Sequence, residues 1–287
     1  MKRFSQFIFI PFTFQIEICK YFVRRLFGAA IANSQNQLYT LFCDLERYSG
    51  KVLKFDSEGI TIQFQLKNAV ISLRHFPSSD YKVFTQVFKD EQYRSTLEAF
   101  RKNFKKEPDN FLDCGGNIGL TSLYFNTAVP NIKICIVEPD TENFKSIEQY
   151  FRMNNLFDPQ LVKSGIWSSD TFLEVNSSYG DGNHWAKSVQ ETTTDTGLHG
   201  VSISDLQNRL EWPIIDILKI DIEGAEAEVF NTEKSDLTFL KKTKVLAIEI
   251  HEDVIEKQTI LNVLDHYNFA YFDDGELTIA YNQQLIL

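Results

Sequence analysis

The sequence predicts an α/β protein whose largest domain is built on a mostly parallel β-sheet. Apolar strands alternate with helical segments from about residue 110 onward. The first strand, 110–113, runs into a glycine-rich turn and then into a helix. The second ends at an acidic residue, Glu138, followed at once by a proline. Strands and helices that alternate in this way form doubly wound sheets, in which ligands bind beyond the carboxyl ends of the strands.

The chain divides into three predicted parts: a helical segment at 1–50, a small β element with a helix at 51–104, and the main domain at 105–287. In the β element, apolar and polar residues alternate in runs that begin at Val52, Ile60 and Ala69. This alternation is typical of antiparallel strands with one buried face. Residues 80–104 are predicted to be mostly helical.

The elements of the main domain follow in order. They are predicted as strand 110–114, helix 119–127, strand 132–138, helix 141–154, strands 160–166 and 171–176, strand 214–221, a helix from Ala225, strand 244–250, a helix at 254–267 and a terminal hairpin. Residues 176–200 lack apolar periodicity and are predicted to form a long loop. Tyr179 and Trp185 in this loop are read first as anchors of the loop, and otherwise as stacking faces for a ligand ring.

Composition excludes several classes of protein. A chain of 287 residues with 43% hydrophobic residues can bury a full core. Its net charge of -10 argues against nucleic-acid binding, which needs a basic face. The four cysteines lack the spacing of a zinc site, and two of them fall in or beside predicted strands. We read them as reduced thiols in a cytoplasmic protein.

The segment 1–27 carries basic residues before a run rich in phenylalanine. Pro11, Gln15 and Glu17 interrupt the run, which is too short to span a bilayer, and no small-residue cleavage site follows closely. Secretion is therefore not expected. An amphipathic helix packed on its own domain or on a homodimer partner is the favoured interpretation. The alternative is an interfacial helix that gives the protein a peripheral contact with a membrane.

The glycine-rich turn has an acid, Asp113, two residues before its first glycine. An acid repels phosphate but accepts hydrogen bonds, so the turn favours S-adenosylmethionine over a dinucleotide. Glu138 lies where nucleotide-binding domains place a carboxylate on the ribose hydroxyls. The predicted cofactor-binding residues are Tyr93, Asp113, Gly115, Gly116, Asn117, Gly119 and Glu138. Asp113 is assigned to the methionine end, and the glycines are assigned to close approach of the backbone.

Polar residues also follow two later strands. Alternation places Lys219, Asp221 and Glu223 on one side of a strand, and Glu249 and His251 on one side of the next. Charges on an otherwise apolar strand are unfavourable unless they are paired. We therefore expect either a functional cluster or a buried ion network.

These motifs together resemble the FkbM family of S-adenosylmethionine-dependent methyltransferases. The matching stretches are 111–119, 136–139, 204–206, 216–226 and 248–252, of which K-I-D-x-E-G-x-E at Lys219 to Glu226 is the most distinctive. The resemblance covers roughly residues 90–272. It implies a Rossmann-like, seven-stranded class I methyltransferase sheet and methyl transfer to a hydroxyl of a sugar, glycan or other small metabolite.

The acceptor hydroxyl in such a reaction needs a base. The predicted catalytic residues are Lys219, Asp221, Glu223 and His251, and an ordinary histidine pKa suits a base near neutral pH. A divalent metal held by Asp221, Glu223, Glu249 and His251 is a less favoured alternative. Two further hypotheses are a non-catalytic scaffold with the same fold and a nicotinamide-dependent oxidoreductase. The glycine spacing disfavours the second of these.

Overall fold

The computed structural model describes residues 7–64, 69–154, 159–176 and 188–286. They fall into two compact units, one drawn from Met1–Thr85 with Arg152–Asn155 and the other from Gln86–Phe151 with Leu156–Leu287. The helical stretch predicted at 80–104 is thus divided between the units. Tyr179 and Trp185 lie outside the described residues.

The helices alternate with strands along most of the described chain. The α-helices are α1 (Phe12–Leu26), α2 (Asn33–Arg47), α3 (Asp80–Phe84), α4 (Arg94–Phe104), α5 (Leu120–Ala128), α6 (Thr141–Met153), α7 (Ile203–Arg209), α8 (Glu226–Val229) and α9 (Lys257–His266), with a π-helical turn at Thr85–Lys89 and 3-10 turns at Phe7–Phe9, Leu237–Lys242 and Gln283–Leu285. Of these helices, none is both long and apolar enough to cross a membrane.

The strands are β1 (Lys51–Phe55), β2 (Gly59–Phe64), β3 (Ala69–Arg74), β4 (Asn110–Cys114), β5 (Lys133–Val137), β6 (Gln160–Val162), β7 (Gly165–Ile166), β8 (Phe172–Asn176), β9 (Ser188–Thr192), β10 (Gly200–Val201), β11 (Ile215–Ile220), β12 (Thr243–Glu249), β13 (Phe269–Asp274) and β14 (Leu277–Asn282).

The first unit packs α1 and α2 with a three-stranded antiparallel sheet in the order β1-β2-β3. Burial alternates along β2 and β3, and the paired residues Ile62 and Ile71 are both fully buried. The sequence pattern of alternating apolar residues produces this one-sided sheet. The predicted N-terminal helical and antiparallel β element is therefore confirmed.

The second unit contains a seven-stranded sheet in the order β6-β5-β4-β11-β12-β14-β13. Neighbours from β6 to β12 are parallel, whereas β14 runs antiparallel to both β12 and β13. This is the predicted class I methyltransferase sheet. The strand order reverses between β4 and β11, so their carboxyl ends open the crevice where such sheets bind ligands.

Burial of the central strands explains why they read as continuous apolar runs. All six residues of β11 are buried, and Leu112, Leu218 and Leu246 from three adjacent strands belong to one core cluster. A parallel sheet covered on both faces requires this composition. The only charged residues in β11 are Asp216 and Lys219, one near each end.

Three elements differ from the sequence prediction. The strand predicted at 160–166 is split into β6 and β7, and β7 pairs with β10 instead of joining the large sheet. The predicted loop contains β9, antiparallel to β8 with Val175 opposite Val189. Its sequence, SVQET, hides the strand because Val189 is its only apolar residue. The helix expected from Ala225 is the short α8.

Candidate active site

The turn between β4 and α5 lies against the end of β11, backbone to backbone. Gly115 has a φ angle of +85°, and a Cβ atom built on it would lie 1.8 Å from the carbonyl oxygen of Asp221. The Asp221 amide donates a hydrogen bond to the Cys114 carbonyl oxygen at 3.1 Å. Glycine accommodates both this left-handed backbone and this close approach. Gly115 therefore fixes how near the two strand ends lie.

The other two predicted glycines are required by packing. A Cβ atom at Gly116 would lie 2.2 Å from Cγ2 of Ile136. One at Gly119, where φ is +83°, would lie 3.1 Å from Cγ1 of Ile147. Side-chain packing therefore explains Gly116 and Gly119 without a bound cofactor.

Asp113 and Lys219 form a buried ion pair beneath the turn. Nζ of Lys219 lies 3.2 Å from Oδ1 of Asp113 and 3.5 Å from Oδ2 of Asp221. It also donates to the Gly115 carbonyl oxygen at 2.5 Å, and Ser122 Oγ donates to Asp113 Oδ2 at 2.6 Å. The sequence analysis assigned Asp113 to the cofactor and Lys219 to catalysis. Their side chains instead lie inside the protein, where they hold the turn and the start of the Asp221 segment in place.

Burial shifts the pKa values of Lys219 and Asp113 in opposite directions. Burial lowers the pKa of Lys219, but Asp113 and other neighbours outweigh it and hold the lysine pKa well above its usual value. Burial raises the pKa of Asp113, and Lys219 opposes that rise. Each partner therefore favours the charged form of the other in a site that water does not reach.

Tyr93 precedes α4 and is buried beside this ion pair. Its ring centroid lies 6.2 Å from that of Phe125. Burial raises its pKa far above the usual tyrosine value, while the charge of Lys219 acts in the opposite direction. At 2% exposure its ring is buried inside the protein, whereas the sequence analysis placed it on the cofactor.

Glu138 follows β5 and ties two backbone segments together. Its Oε2 accepts a hydrogen bond from the Asn117 amide at 2.8 Å, and its Oε1 accepts one from the Asp140 amide at 2.9 Å. Burial raises the pKa of Glu138 to about 7, although these two bonds favour the ionised form. A carboxylate oxygen accepts up to two hydrogen bonds, so each oxygen of Glu138 retains capacity for a ligand hydroxyl.

An open cavity lies beyond the carboxyl ends of β4, β5 and β11. It is lined by Gly115, Asn117, Val137, Glu138, Pro139, Asp140, Asn143, Ser164, Gly165, Ile166, Val175, Val189, Asp221, Ile222 and Glu223. The cavity therefore contains both Glu138, the residue predicted to bind ribose, and the predicted catalytic acids Asp221 and Glu223. The wall formed by Val175 and Val189 was missed because β9, which carries Val189, was predicted as a loop.

His251 is clamped between two carboxylates. Its Nε2 lies 3.5 Å from Glu223 Oε2 and its Nδ1 lies 3.1 Å from Glu226 Oε1. Burial lowers the pKa of His251, but the two glutamates overcome this effect and raise it to about 11. A near-neutral histidine pKa was expected from the sequence. In this arrangement the imidazole is a cation at neutral pH and has no free lone pair for a proton.

Glu226 is a residue whose importance the sequence analysis did not single out. Its side chain is fully buried, and its Oε1 also accepts the Ile222 amide at 3.2 Å. Among the described residues, its Oε2 has no hydrogen-bond partner. A buried carboxylate is unfavourable without a cation beside it, so His251 compensates Glu226. The second acid of the E-G-x-E string was the available signal.

Glu249, at the end of β12, faces Asp221 across the same edge. Burial, together with the charges of Asp221 and Glu276, raises the pKa of Glu249 to about 8 against the opposing effect of His251. Asp221, Glu249 and His251 each offer a ligand atom, and these atoms lie within 4.8 Å of one another. Such a set suits a hard divalent cation, but the imidazolium form of His251 would first have to lose its proton.

The residues that form this site fall within a segment that matches a known protein family. The family described as "Methyltransferase FkbM domain" matches residues 113–272, more than half of the chain. The chain belongs to this FkbM methyltransferase family. The matched segment includes Asp113, Glu138, Asp221 and His251. The resemblance inferred from the motifs is therefore confirmed.

Individual relatives of this FkbM-family chain are distant. Methyltransferase 1 of Beauveria bassiana (strain ARSEF 2860) is 26% identical over 142 residues, which cover 42% of this chain and 57% of that relative. The chain thus matches little more than half the length of the curated relative.

Solved structures show similarly low identity to the FkbM-family chain. The METTL16 methyltransferase domain is 13% identical, covering 94% of this chain and 91% of that one, with a TM-score of 0.49. Precorrin-6y C5,15-methyltransferase from Geobacter metallireducens GS-15 is 12% identical, covering 66% and 85%, with a TM-score of 0.38. The fold assignment rests on the strand order of the sheet itself.

Proposed function

We propose that this protein is an S-adenosylmethionine-dependent O-methyltransferase that acts on a hydroxyl of a sugar, glycan or other small metabolite. The observation that carries the proposal is the shared cavity, which has Glu138 at one side and Asp221 with Glu223 at the other. Family membership supports the same reaction type.

The cavity suits a cofactor that combines a ribose with a cationic sulfur. Glu138 would accept the ribose hydroxyls, while the backbone at Gly115 and Asn117 would border the rest of the molecule. The carboxylates of Asp221 and Glu223 supply negative charge on the opposite wall. When bound, S-adenosylmethionine supplies the methyl group from its sulfonium. The buried pair of Asp113 and Lys219 would contribute by holding the turn.

We assign the contact with the acceptor hydroxyl to Asp221, because it is both partly exposed and part of the cavity wall. Asp221 and Glu249 repel each other, so the pair holds a proton more tightly than an isolated carboxylate. In its doubly ionised form the pair would accept the proton that leaves the hydroxyl. The His251 imidazolium would instead position Glu223 and Glu226.

Binding experiments separate this proposal from its alternatives. Calorimetric titration of the full chain with S-adenosylhomocysteine is expected to show binding, and titration with NAD is expected to show none. Radiolabelled methyl transfer to hydroxylated glycans and metabolites then tests for turnover. Cofactor binding without transfer to any acceptor would favour the non-catalytic scaffold. Binding of NAD alone would overturn the proposal in favour of an oxidoreductase.

A further inference from the structure

Helix α1 has two apolar sides, and one of them packs inside its own unit. Phe14, Ile18 and Tyr21 are no more than 5% exposed. The ring of Phe14 stacks on Phe55 with centroids 4.9 Å apart, and that of Tyr21 stacks on Tyr39 at 4.1 Å. At about 100° per residue, the three buried positions share one side of the helix. This side provides the attachment expected of a surface helix.

The opposite side of α1 is also apolar, yet it is exposed. It is formed by Phe12, Ile16, Cys19, Val23 and Leu26, which we call the outer stripe. Phe12, Val23 and Leu26 are 74%, 55% and 81% exposed. A surface helix ordinarily turns charged and polar residues toward water on this side. A continuous apolar stripe there marks a surface that binds a partner.

Apolar side chains continue the outer stripe beyond both ends of the helix. Ile8 and Phe9 before it are 73% and 75% exposed, and Phe27 after it is 78% exposed. Exposed apolar side chains therefore lie before and after the helix as well as on its outer side.

The charges beside the outer stripe favour an anionic partner. Helix α1 contains three basic residues, Lys20, Arg24 and Arg25, and one acidic residue, Glu17. The chain as a whole carries a net charge of -10, so this helix differs in sign from the rest of the protein. Lys20, which pairs with Glu17 at 2.7 Å, and Arg24 fall along one border of the outer stripe at about 80° and 120° from Phe12, so this border carries a net positive charge. Long basic side chains in such positions extend their charges toward lipid headgroups.

We propose that α1 docks through the outer stripe onto an anionic lipid surface, with its axis parallel to the membrane plane. Apolar residues on one face and basic residues along its border are the combination that binds helices to such interfaces. A helix of 15 residues is about 22 Å long, which is shorter than a bilayer-spanning helix. Interfacial docking is the membrane arrangement that fits this length.

A second copy of the chain is the competing occupant. The spacing of the outer stripe also matches a heptad seam, but α1 provides only about two heptads where a coiled coil needs three or four. Flanking positions such as Gln15 and Lys20 do not offer opposite charges to a partner helix. The basic border favours lipid over self-association.

Vesicle flotation of the full chain tests the proposal. Phosphatidylcholine vesicles containing phosphatidylserine are expected to carry the protein with them, and pure phosphatidylcholine vesicles much less. The variant Ile16→Gln/Val23→Gln/Leu26→Gln is expected to lose at least about tenfold in partitioning. The matched control Leu53→Gln/Phe272→Gln changes residues that are 52% and 41% exposed elsewhere, and it should float like the original chain.

Two further measurements identify the occupant. Lys20→Gln/Arg24→Gln is expected to reduce binding to anionic vesicles by about tenfold, since each basic group near the surface contributes to attraction. A polarity-sensitive dye on exposed Cys19, in a Cys43→Ser background, should shift to the blue when vesicles are added. The other two cysteines are buried.

Three outcomes would overturn the proposal. One is failure of the original chain to float with anionic vesicles, and another is equal flotation of the outer-stripe variant. The third is a dimer that the outer-stripe substitutions convert to a monomer while neither protein binds vesicles, which would assign the stripe to a second copy. Unchanged circular dichroism melting of the variant excludes unfolding as the cause of any loss.

Discussion

Replacing Glu138 by glutamine tests the cofactor assignment with a nearly isosteric change. The carboxylate accepts one amide from Asn117 and one from Asp140, whereas a glutamine side chain offers only one oxygen. Its NH2 group would face one of the two N–H donors. A buried donor left without an acceptor costs about 1–3 kcal/mol. A protonated carboxyl keeps acceptor capacity on both of its oxygens, so the variant should unfold at a lower temperature than the original chain even at acidic pH.

The pH dependence gives this experiment its second measurement. In the unfolded chain Glu138 ionises near 4.5, and burial raises its pKa to about 7 in the fold. The fold therefore has its full stability below pH 4.5 and loses roughly 3 kcal/mol from this group as pH rises through 7. Glutamine does not titrate, so the variant should lack this loss in thermal melts between pH 4.5 and 8.

Cofactor affinity should follow the same titration. Ribose hydroxyls donate best to the ionised carboxylate, so S-adenosylhomocysteine should bind the original chain more tightly at pH 8 than at pH 6 and release protons on binding. Glu138→Gln should weaken binding by about 1.5–3 kcal/mol, or roughly 10- to 150-fold, at pH 8. Equal, pH-independent affinity for both proteins in calorimetry would refute the ribose assignment.

The remaining predictions concern the base, the histidine clamp and the turn. If Asp221 and Glu249 form the base, the methyl-transfer rate should rise with pH through about 8, where the Glu249 pKa lies. The Glu249→Gln variant should lack this rise in rate. Activity that survives treatment with a metal chelator would distinguish carboxylate base catalysis from metal catalysis. His251→Gln should destabilise the fold by about 3 kcal/mol in denaturant titration, because it removes the cation beside the buried Glu226 carboxylate. Adding Glu226→Gln should restore part of the lost stability. No recovery would contradict the pairing of His251 with Glu226. Gly115→Ala should destabilise by more than about 2 kcal/mol, whereas Gly275→Ala, with a positive φ but no atom within 4 Å of the added Cβ, should lose about 1 kcal/mol; equal losses in thermal melts would contradict the close approach.

Much of the sheet and one edge of the site were predictable from local pattern. Apolar runs that end at Glu138 and just before Asp221 identify strands, and the carboxyl ends of parallel strands meet at one edge. The acids at the ends of these runs are therefore predicted to lie close together even when the strand register is not known. The family motif added the K-I-D-x-E-G-x-E string, which includes Asp221 and Glu226.

Side-chain direction was not predictable because it depends on neighbours distant in sequence. Lys219 pairs in register with Asp113 on the adjacent strand, so the two charges neutralise each other inside the protein. Spacing within one strand gives no information about that register. The pKa of His251 likewise depends on Glu223 and Glu226, which approach it from another part of the chain. A residue type indicates an ordinary pKa, and only the fold shows what shifts it.

The close backbone contact between Gly115 and Asp221 has a consequence for engineering this protein. Because the two strand ends touch directly and Lys219 binds both of them, a substitution at one end disturbs the packing of the other. New acceptor specificity should therefore be sought by changing the hairpin of β8 and β9, whose Val175 and Val189 line the cavity from outside the large sheet. Substitutions at the strand ends are expected to destabilise the fold instead, because they disturb this contact.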